Sequence, residues 1–485
     1  MSGDERPSGE HIPRRTVSSL TYTGAGSLVR VAALGVRSVV LARLLPISVF
    51  GVYAGTRVVI ELVVGASELG LNAAMTADHE HTRDERRVAQ THLLLRTVIT
   101  AAWAAVGLLV AVAATDGDRR TSALVLIGTF ATTALLSTFT ALLGRRVVHR
   151  RLALLGLLTD VGSTVVAVGL AVTGAGLWAL LSVHVVEAVL GVLLLVVHRP
   201  VWRPSLRWHP AVGRHLLRFG VRAGLANLLT TLLAKIDDLF VATALGTTQL
   251  GLYNRAYTFA SYPRKIAGGP VDSVSLGALA AAADRRARTE VFTLLLGLLV
   301  RAGFLLAGLL AVAAPELIRV LIGERWLPML AAFQLMLVYA MFDPLKTVLG
   351  HVLIAGGEPG RLVRARSIQL AALLVGLGVL GWQGIAGVAV AVNLMAVAGT
   401  LLLLREARRH VDVDVRGIFG APAIAFSGGI GAAVAVRSVL TGTWPVLAGT
   451  SAVFGLVFAG TLAVLERDRA LRLLAEVRTR PWGGE

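Results

Sequence analysis

Five charged residues lie in the first two apolar segments of the chain, at spacings that place them on one face of each predicted helix. Within residues 29–71 they are Arg30, Arg37, Arg57, Glu61 and Glu68. Arg30 and Arg37 are seven residues apart, as are Glu61 and Glu68, and Arg57 precedes Glu61 by four. Because a charge at the centre of a bilayer is costly, these side chains must face something other than lipid.

These charges allow two interpretations. They can form structural ion pairs between packed helices, or they can line a hydrated pathway whose first helix offers two arginines and no carboxylate. The second interpretation predicts a wet, charged cavity and an anionic substrate, because guanidinium groups bind phosphate and carboxylate strongly.

A second group of charges lies in two later apolar segments, 219–245 and 249–280. Pro263 in the second of these predicts a bend, either as a packing kink or as a flexible wall that moves during transport. The candidate cavity residues of both groups are Arg30, Arg37, Arg57, Glu61, Glu68, Lys235, Asp237, Asp238, Arg255, Arg264 and Lys265.

Composition indicates that the elements carrying these charges are transmembrane helices. The 485 residues are 55% hydrophobic with a mean hydropathy of +0.73, which is too apolar for a soluble chain of this length. Apolar segments of about 20 residues, long enough to span a bilayer, lie at 20–43, 49–73, 90–114, 121–143, 152–173, 177–197, 219–245, 249–280, 290–314, 328–355, 363–382, 385–404, 417–440 and 445–464. The predicted fold is therefore an all-α polytopic membrane protein with about fourteen transmembrane helices.

An internal repeat divides these helices into two pseudo-symmetric sets. The segment Phe50-Gly-Val-Tyr53 recurs 200 residues later as Leu250-Gly-Leu-Tyr253. An even number of crossings separates the copies, so they run parallel and predict two six-helix lobes plus two C-terminal helices. The predicted division is a disordered tail 1–16, an N-lobe 17–215, a C-lobe 216–410, helices thirteen and fourteen in 411–464, and a tail 465–485.

The basic residues predict orientation. Most lysines and arginines outside the segments fall in the tails and loops that share one side with the amino terminus, which places both termini in the cytoplasm. The net charge of +18 would suggest nucleic acid in a soluble protein, but these residues flank apolar segments and form no continuous face. No nucleic-acid partner is expected.

The sequence lacks the residues that several classes of protein function require. Cysteine is absent, which excludes thiolate metal sites and cysteine nucleophiles, and no phosphate-binding loop of the G-x-x-x-x-G-K-[ST] type occurs. The loops leave no room for a catalytic domain, so the chain is predicted not to be an enzyme and to need no cofactor or metal. Polar residues such as Asp160, His184 and Glu187 are scattered within the segments and are interpreted as local pairs or interface residues.

Three stretches resemble a known family. They are 40–53 with VLARLLPISVFGVY, 68–74 with ELGLNAA, and 236–257 with IDDLFVATALGTTQLGLYNRAY. Together they look like the Wzx-type polysaccharide flippases of the multidrug/oligosaccharidyl-lipid/polysaccharide exporter superfamily, over about residues 16 to 410. One departure is Ile47-Ser48-Val49 after Pro46, where the family usually has acidic residues.

The resemblance implies a flippase that moves undecaprenyl-pyrophosphate-linked oligosaccharide from the inner to the outer leaflet of the plasma membrane by alternating access. Its cavity would be lined by helices one, two, seven and eight, where the charges lie. The implied partners are the lipid-linked anionic oligosaccharide, membrane lipids and, as a candidate, a polysaccharide polymerase. The alternatives are a flippase for lipid-linked peptidoglycan precursor and a multidrug-type antiporter of the same superfamily.

Overall fold

The computed structural model describes residues 30–77, 84–145, 149–197 and 204–467, and all regular structure within them is helical. The helices are α1 (30–44), α2 (Ile47–Ser67), α3 (Leu71–Ala77), α4 (Glu85–Ala114), α5 (Gly117–Arg145), α6 (His149–Val172), α7 (Leu177–Val197), α8 (Pro210–Phe240), α9 (Thr247–Ala260), α10 (Gly269–Ala281), α11 (Arg285–Leu321), α12 (Leu330–Ala355), α13 (Pro359–Leu380), α14 (Ile385–Ala407), α15 (Ala421–Val439) and α16 (Thr443–Leu465). The predicted all-α fold class is confirmed for these residues.

Nine helical segments of the described ranges are long and apolar enough to cross a membrane. Two shorter apolar stretches, Gly156–Val172 and Leu177–Leu193, accompany them. The chain is thus a multi-pass membrane protein. Every predicted segment falls on helix where it is described, although the predicted segment 49–73 is divided between α2 and α3. The number of fourteen crossings stays a prediction.

Local sequence signals explain where helices begin and break. Asp84 and Asp284 cap α4 and α11, accepting hydrogen bonds from the backbone N–H groups of Arg87 at 3.2 Å and Ala287 at 2.8 Å. The regular α-helix is interrupted near Pro263, where a bend was predicted: α9 ends at Ala260, and the π-helical turn Arg264–Gly268 precedes α10. Proline removes a backbone donor, which weakens the regular hydrogen-bond pattern at this point.

The described chain forms two compact units. Residues 30–255 with 366–391 form the N-terminal unit, and residues 256–365 with 392–467 form the C-terminal unit. These units reflect which residues pack together, and they do not correspond to the two copies of the sequence repeat. The lobes 17–215 and 216–410 therefore stay predictions. The predicted tail 1–16 and nearly all of the tail 465–485 lie outside the described residues.

The two copies of the sequence repeat pack against each other inside the N-terminal unit. A Cβ atom on Gly51 of α2 would lie 1.9 Å from the carbonyl oxygen of Thr247, and one on Gly251 of α9 would lie 2.5 Å from the carbonyl oxygen of Ile47. Residues 47 and 247, like 51 and 251, are equivalent in the repeat. We call this arrangement the reciprocal glycine contact, and it brings the starts of α2 and α9 into backbone contact.

In the C-terminal unit, α16 packs on α11 and α15 through one aromatic residue. Phe454 is fully buried and fills the space over Gly308 of α11 and Gly429 of α15. A Cβ atom would lie 2.0 Å from the Phe454 ring at Gly308 and 2.8 Å from it at Gly429. Glycine thus permits the close approach of the last two helices to α11.

We expect Gly308→Ala to destabilise the C-terminal unit by about 1–3 kcal/mol, because the added methyl overlaps the buried Phe454 ring. Thermal unfolding in detergent measures the change, and the readout is the fraction of protein that stays monodisperse at each temperature. Gly303→Ala is the matched control in the same helix, since nothing lies within 4 Å of a Cβ there. Equal melting temperatures of the two variants would contradict the packing argument.

Candidate functional site

A polar pocket lies within the N-terminal unit, near the middle of three helices. Its cavity has a volume of about 180 Å³. Its lining residues are Arg57 and Glu61 of α2, Thr129, Phe130 and Thr133 of α5, and His184 and Glu187 of α7. We call it the mid-helix pocket. This volume is below the roughly 300–1,000 Å³ of whole-ligand pockets, so the pocket has room for only part of a larger substrate.

Tyr53, Arg57 and Glu61 lie on one face of α2, because they are four residues apart. The last two line the pocket. The Arg57 Nε donates to Glu61 Oε1 at 2.7 Å, and Arg57 Nη1 lies 3.5 Å from the hydroxyl oxygen of Tyr53. Lys235 of α8 brings its Nζ to 2.6 Å from Glu61 Oε2. One carboxylate is therefore shared by two cations from different helices.

Helix α7 completes the pocket with an imidazole and a carboxylate. The Tyr53 hydroxyl lies 2.7 Å from His184 Nε2, and His184 Nδ1 lies 3.8 Å from Glu187 Oε2. The rings of Phe130 and His184 are 5.3 Å apart between centroids. The sequence predicted His184 and Glu187 only as scattered polar residues. Their three-residue spacing in the middle of an apolar helix could have indicated that they act together.

The two arginines of α1 face α6. Arg30 Nε lies 2.6 Å from Asp160 Oδ2, and Arg37 Nη1 donates to Ser163 Oγ at 2.8 Å. Half of the Arg30 side chain is exposed. Neither arginine lines the mid-helix pocket, although Arg37 acts electrostatically on Glu187 at its edge.

The polar residues at the end of α8 and the start of α9 are buried. Tyr253 donates its hydroxyl to Asp237 Oδ2 at 2.6 Å, and Asp238 is buried beside it. Arg255 donates to Ser38 Oγ at 3.3 Å and lies 4.5 Å over the Phe50 ring. These contacts tie α9 to α8, α1 and α2.

Helices α2 and α8 also contact each other near Glu68, the residue that follows α2. A Cβ on Gly65 would lie 2.7 Å from the Thr231 side chain, and Asn227 donates to Glu68 Oε2 at 3.0 Å. Glu68 also accepts from Asn72 at 3.0 Å. Glu68 therefore links α2, α3 and α8, and the pocket lining does not include it.

The remaining predicted residues belong to the C-terminal unit. Arg264 Nη1 lies 3.0 Å from Asp343 Oδ2, and Lys346 Nζ lies 3.1 Å from Asp343 Oδ1. Lys265 Nζ lies 5.1 Å over the Tyr262 ring. The crevice beside Arg264 has no room for a water-sized group and is therefore not a ligand pocket.

The predicted residues thus fall into separate groups. The structure brings Arg57, Glu61 and Lys235 together at the mid-helix pocket and distributes the others over inter-helix contacts. Glu61 forms an ion pair between helices with Lys235 and also lines a cavity, and the anionic substrate stays a prediction. In the described part of the chain, no group of three or more His, Asp or Glu side chains is arranged to hold a metal ion.

Comparison with known proteins adds the family and the fold. A family model described as "Polysaccharide biosynthesis protein" matches residues 40–331. No curated protein sequence matches the chain.

Three solved structures share the fold at low identity. The lipid II flippase MurJ in an inward closed conformation has 12% identity and a TM-score of 0.71, covering 93% of this chain and 99% of its own. An inward-facing multidrug resistance MATE family transporter of the MOP superfamily has 14% identity and a TM-score of 0.59, with coverages of 80% and 95%. A MOP superfamily transporter from Pyrococcus furiosus has 15% identity and a TM-score of 0.55, with coverages of 83% and 99%.

These likenesses show that the chain shares the fold of these transporters, and together with the family match they confirm the resemblance found in the sequence. The matched family range contains α2 to α11, and hence the whole mid-helix pocket. Because that range exceeds half of the sequence, the chain belongs to the family of polysaccharide biosynthesis proteins.

Proposed function

We propose that this protein is a flippase that moves undecaprenyl-pyrophosphate-linked oligosaccharide from the inner to the outer leaflet of the plasma membrane. The polymer it serves is a capsule, an exopolysaccharide or a cell-wall polymer, and both termini lie in the cytoplasm. The mid-helix pocket is the observation that carries the proposal. A sugar head group cannot cross hydrocarbon without polar partners, and this pocket offers them halfway along three helices of a polysaccharide biosynthesis protein.

The pyrophosphate needs cations, and α1 supplies them. Arg30 and Arg37 lie on the face toward α6, where Arg30 contacts Asp160 and Arg37 contacts Ser163. Among the described residues Arg30 engages Asp160 through Nε, which leaves its two terminal nitrogens for a phosphate. We therefore assign the first contact with pyrophosphate to Arg30, while the polyprenyl chain stays in lipid.

Export of the polymer in a deletion strain tests the proposal. The strain should accumulate lipid-linked oligosaccharide on the cytoplasmic side and lose surface polymer, and the wild-type gene should restore export. We expect Arg30→Ala to reach normal membrane abundance, because the side chain is half exposed, yet to fail in export. Arg30→Lys should restore export in part, since it keeps the charge and loses the planar pair of donors.

Arg286→Ala is the matched control, because Arg286 is an exposed arginine that also has one carboxylate partner. It should export normally. Unchanged surface polymer in the deletion strain would overturn the proposed function.

One observation favours a second candidate, transport of a lipid-linked peptidoglycan precursor. The fold likeness to the lipid II flippase MurJ spans nearly the whole chain. The same deletion separates the two candidates: loss of viability with accumulated peptidoglycan precursor supports the second, and loss of surface polymer in viable cells supports the first.

A further inference from the structure

We infer that the mid-helix pocket binds an uncharged sugar residue of the substrate and not its pyrophosphate. This inference rests on the proposed function and assigns a part of the substrate to the pocket. It differs from the expectation drawn from the sequence, in which positive charge in the cavity meets an anion.

The cations at the pocket already have a carboxylate partner. Arg57 is paired with Glu61 at 2.7 Å, and the same carboxylate holds Lys235 at 2.6 Å. Glu187 supplies a second carboxylate on α7, and more than half of its side chain is exposed. A pyrophosphate in this space would meet two carboxylates beside cations that are already engaged, so it gains little attraction.

The face between α1 and α6 offers a more accessible cation. There Arg30 contacts Asp160 through Nε, and half of its side chain is exposed. Its terminal nitrogens can therefore reach a pyrophosphate, whereas the cations around the mid-helix pocket are already engaged.

The polar atoms of the pocket suit sugar hydroxyls. Thr129 and Thr133 donate their hydroxyl protons to the carbonyl oxygens of Val125 at 2.9 Å and of Thr129 at 3.2 Å. Their oxygens then remain as acceptors, as do the carboxylate oxygens of Glu187, and a sugar hydroxyl can donate to each of them. Glu187 accepts more strongly, because it is charged.

The pocket also has an apolar wall. The rings of Phe130 and His184 are tilted by 39° with centroids 5.3 Å apart, so they form an aromatic surface beside the polar groups. The C–H face of a sugar ring is apolar and packs on such a surface. Aromatic walls with a few placed polar groups are the usual composition of a ligand pocket.

Binding of two lipids to the full-length protein in nanodiscs tests the inference. The probes are undecaprenyl pyrophosphate and the same lipid carrying one glucose or one N-acetylglucosamine, and native mass spectrometry measures their dissociation constants. We expect the wild type to prefer at least one glycosylated lipid over the bare lipid.

The pocket variants Thr133→Val and Glu187→Gln should each lose that preference, by about fivefold to tenfold for one hydrogen bond, and bind the bare lipid as before. Thr132→Val is the matched control, because Thr132 neighbours Thr133 on α5, bonds to the Gly128 carbonyl oxygen and does not line the pocket. It should keep the preference. Arg30→Ala should weaken all of the lipids alike.

Two outcomes overturn the inference and leave the proposed function in place: wild-type protein that binds the bare lipid as tightly as the glycosylated ones, and pocket variants that weaken bare and glycosylated lipids equally. Failure of the wild type to bind any of these lipids better than phosphatidylglycerol would instead contradict the proposed function.

Discussion

Glu61→Ala is expected to remove most of the folded protein from the membrane. The substitution leaves Arg57 and Lys235 without the carboxylate that both now contact, at 2.7 and 2.6 Å. Loss of one partner from a buried ion pair typically costs about 3–5 kcal/mol, and we expect less than that for each of these two cations, because 39% of the Arg57 side chain and 28% of the Lys235 side chain are exposed. Here two charges remain. Quantitative immunoblotting of membranes and size-exclusion profiles in detergent measure the loss.

The control for this prediction is an exposed ion pair of the same chain. Arg286 and Glu290 lie 3.2 Å apart with 90% and 57% of their side chains exposed, so Glu290→Ala should change stability by less than about 1 kcal/mol. Replacing Arg57, Glu61 and Lys235 together by methionine should restore abundance and leave export inactive. Normal abundance of the single variant Glu61→Ala would show that the shared carboxylate does not stabilise the fold.

The second large effect is expected at the reciprocal glycine contact. Gly51→Ala would place a methyl carbon 1.9 Å from the carbonyl oxygen of Thr247, and backbone cannot move aside as a side chain can. We expect a loss of about 1–3 kcal/mol or more, seen as a lower melting temperature and reduced export. Gly55→Ala, one turn later on α2, is the control, since its methyl would meet only the flexible end of Leu250 at 3.3 Å.

A double substitution sharpens this test. Gly251→Ala should resemble Gly51→Ala, and the two together should cost less than the sum of the single losses, because one separation of the helix starts relieves both overlaps. Additive losses would mean that the two glycines act independently.

Helical periodicity predicted some of these relations and could not predict others. The four-residue spacing of Arg57 and Glu61 places them side by side on any helix, and Pro263 removes a backbone donor from the helix that contains it. Both relations are local. They were therefore available from the sequence.

Partners on other helices depend on packing, which a spacing rule does not contain. The second cation on Glu61 comes from α8, and the partner of Arg37 is the hydroxyl of Ser163. His184 and Glu187 join the pocket only because α7 packs beside α2 and α5. A positive cavity was expected because arginines are conspicuous in an apolar segment, whereas the balancing groups are distant in sequence.

The reciprocal glycine contact has the form of an isologous interface, the arrangement by which two identical subunits join in a symmetric dimer. Residue 51 meets residue 247, and residue 251 meets residue 47, so each copy of the repeat presents the same surface to the other. A duplicated helix pair that once associated as a homodimer would leave this pattern after fusion into one chain. Both contacts use a carbonyl oxygen from one copy and a missing Cβ in the other. Ile47 and Thr247 could therefore diverge in side chain, while glycine at 51 and 251 could not change without separating the two copies.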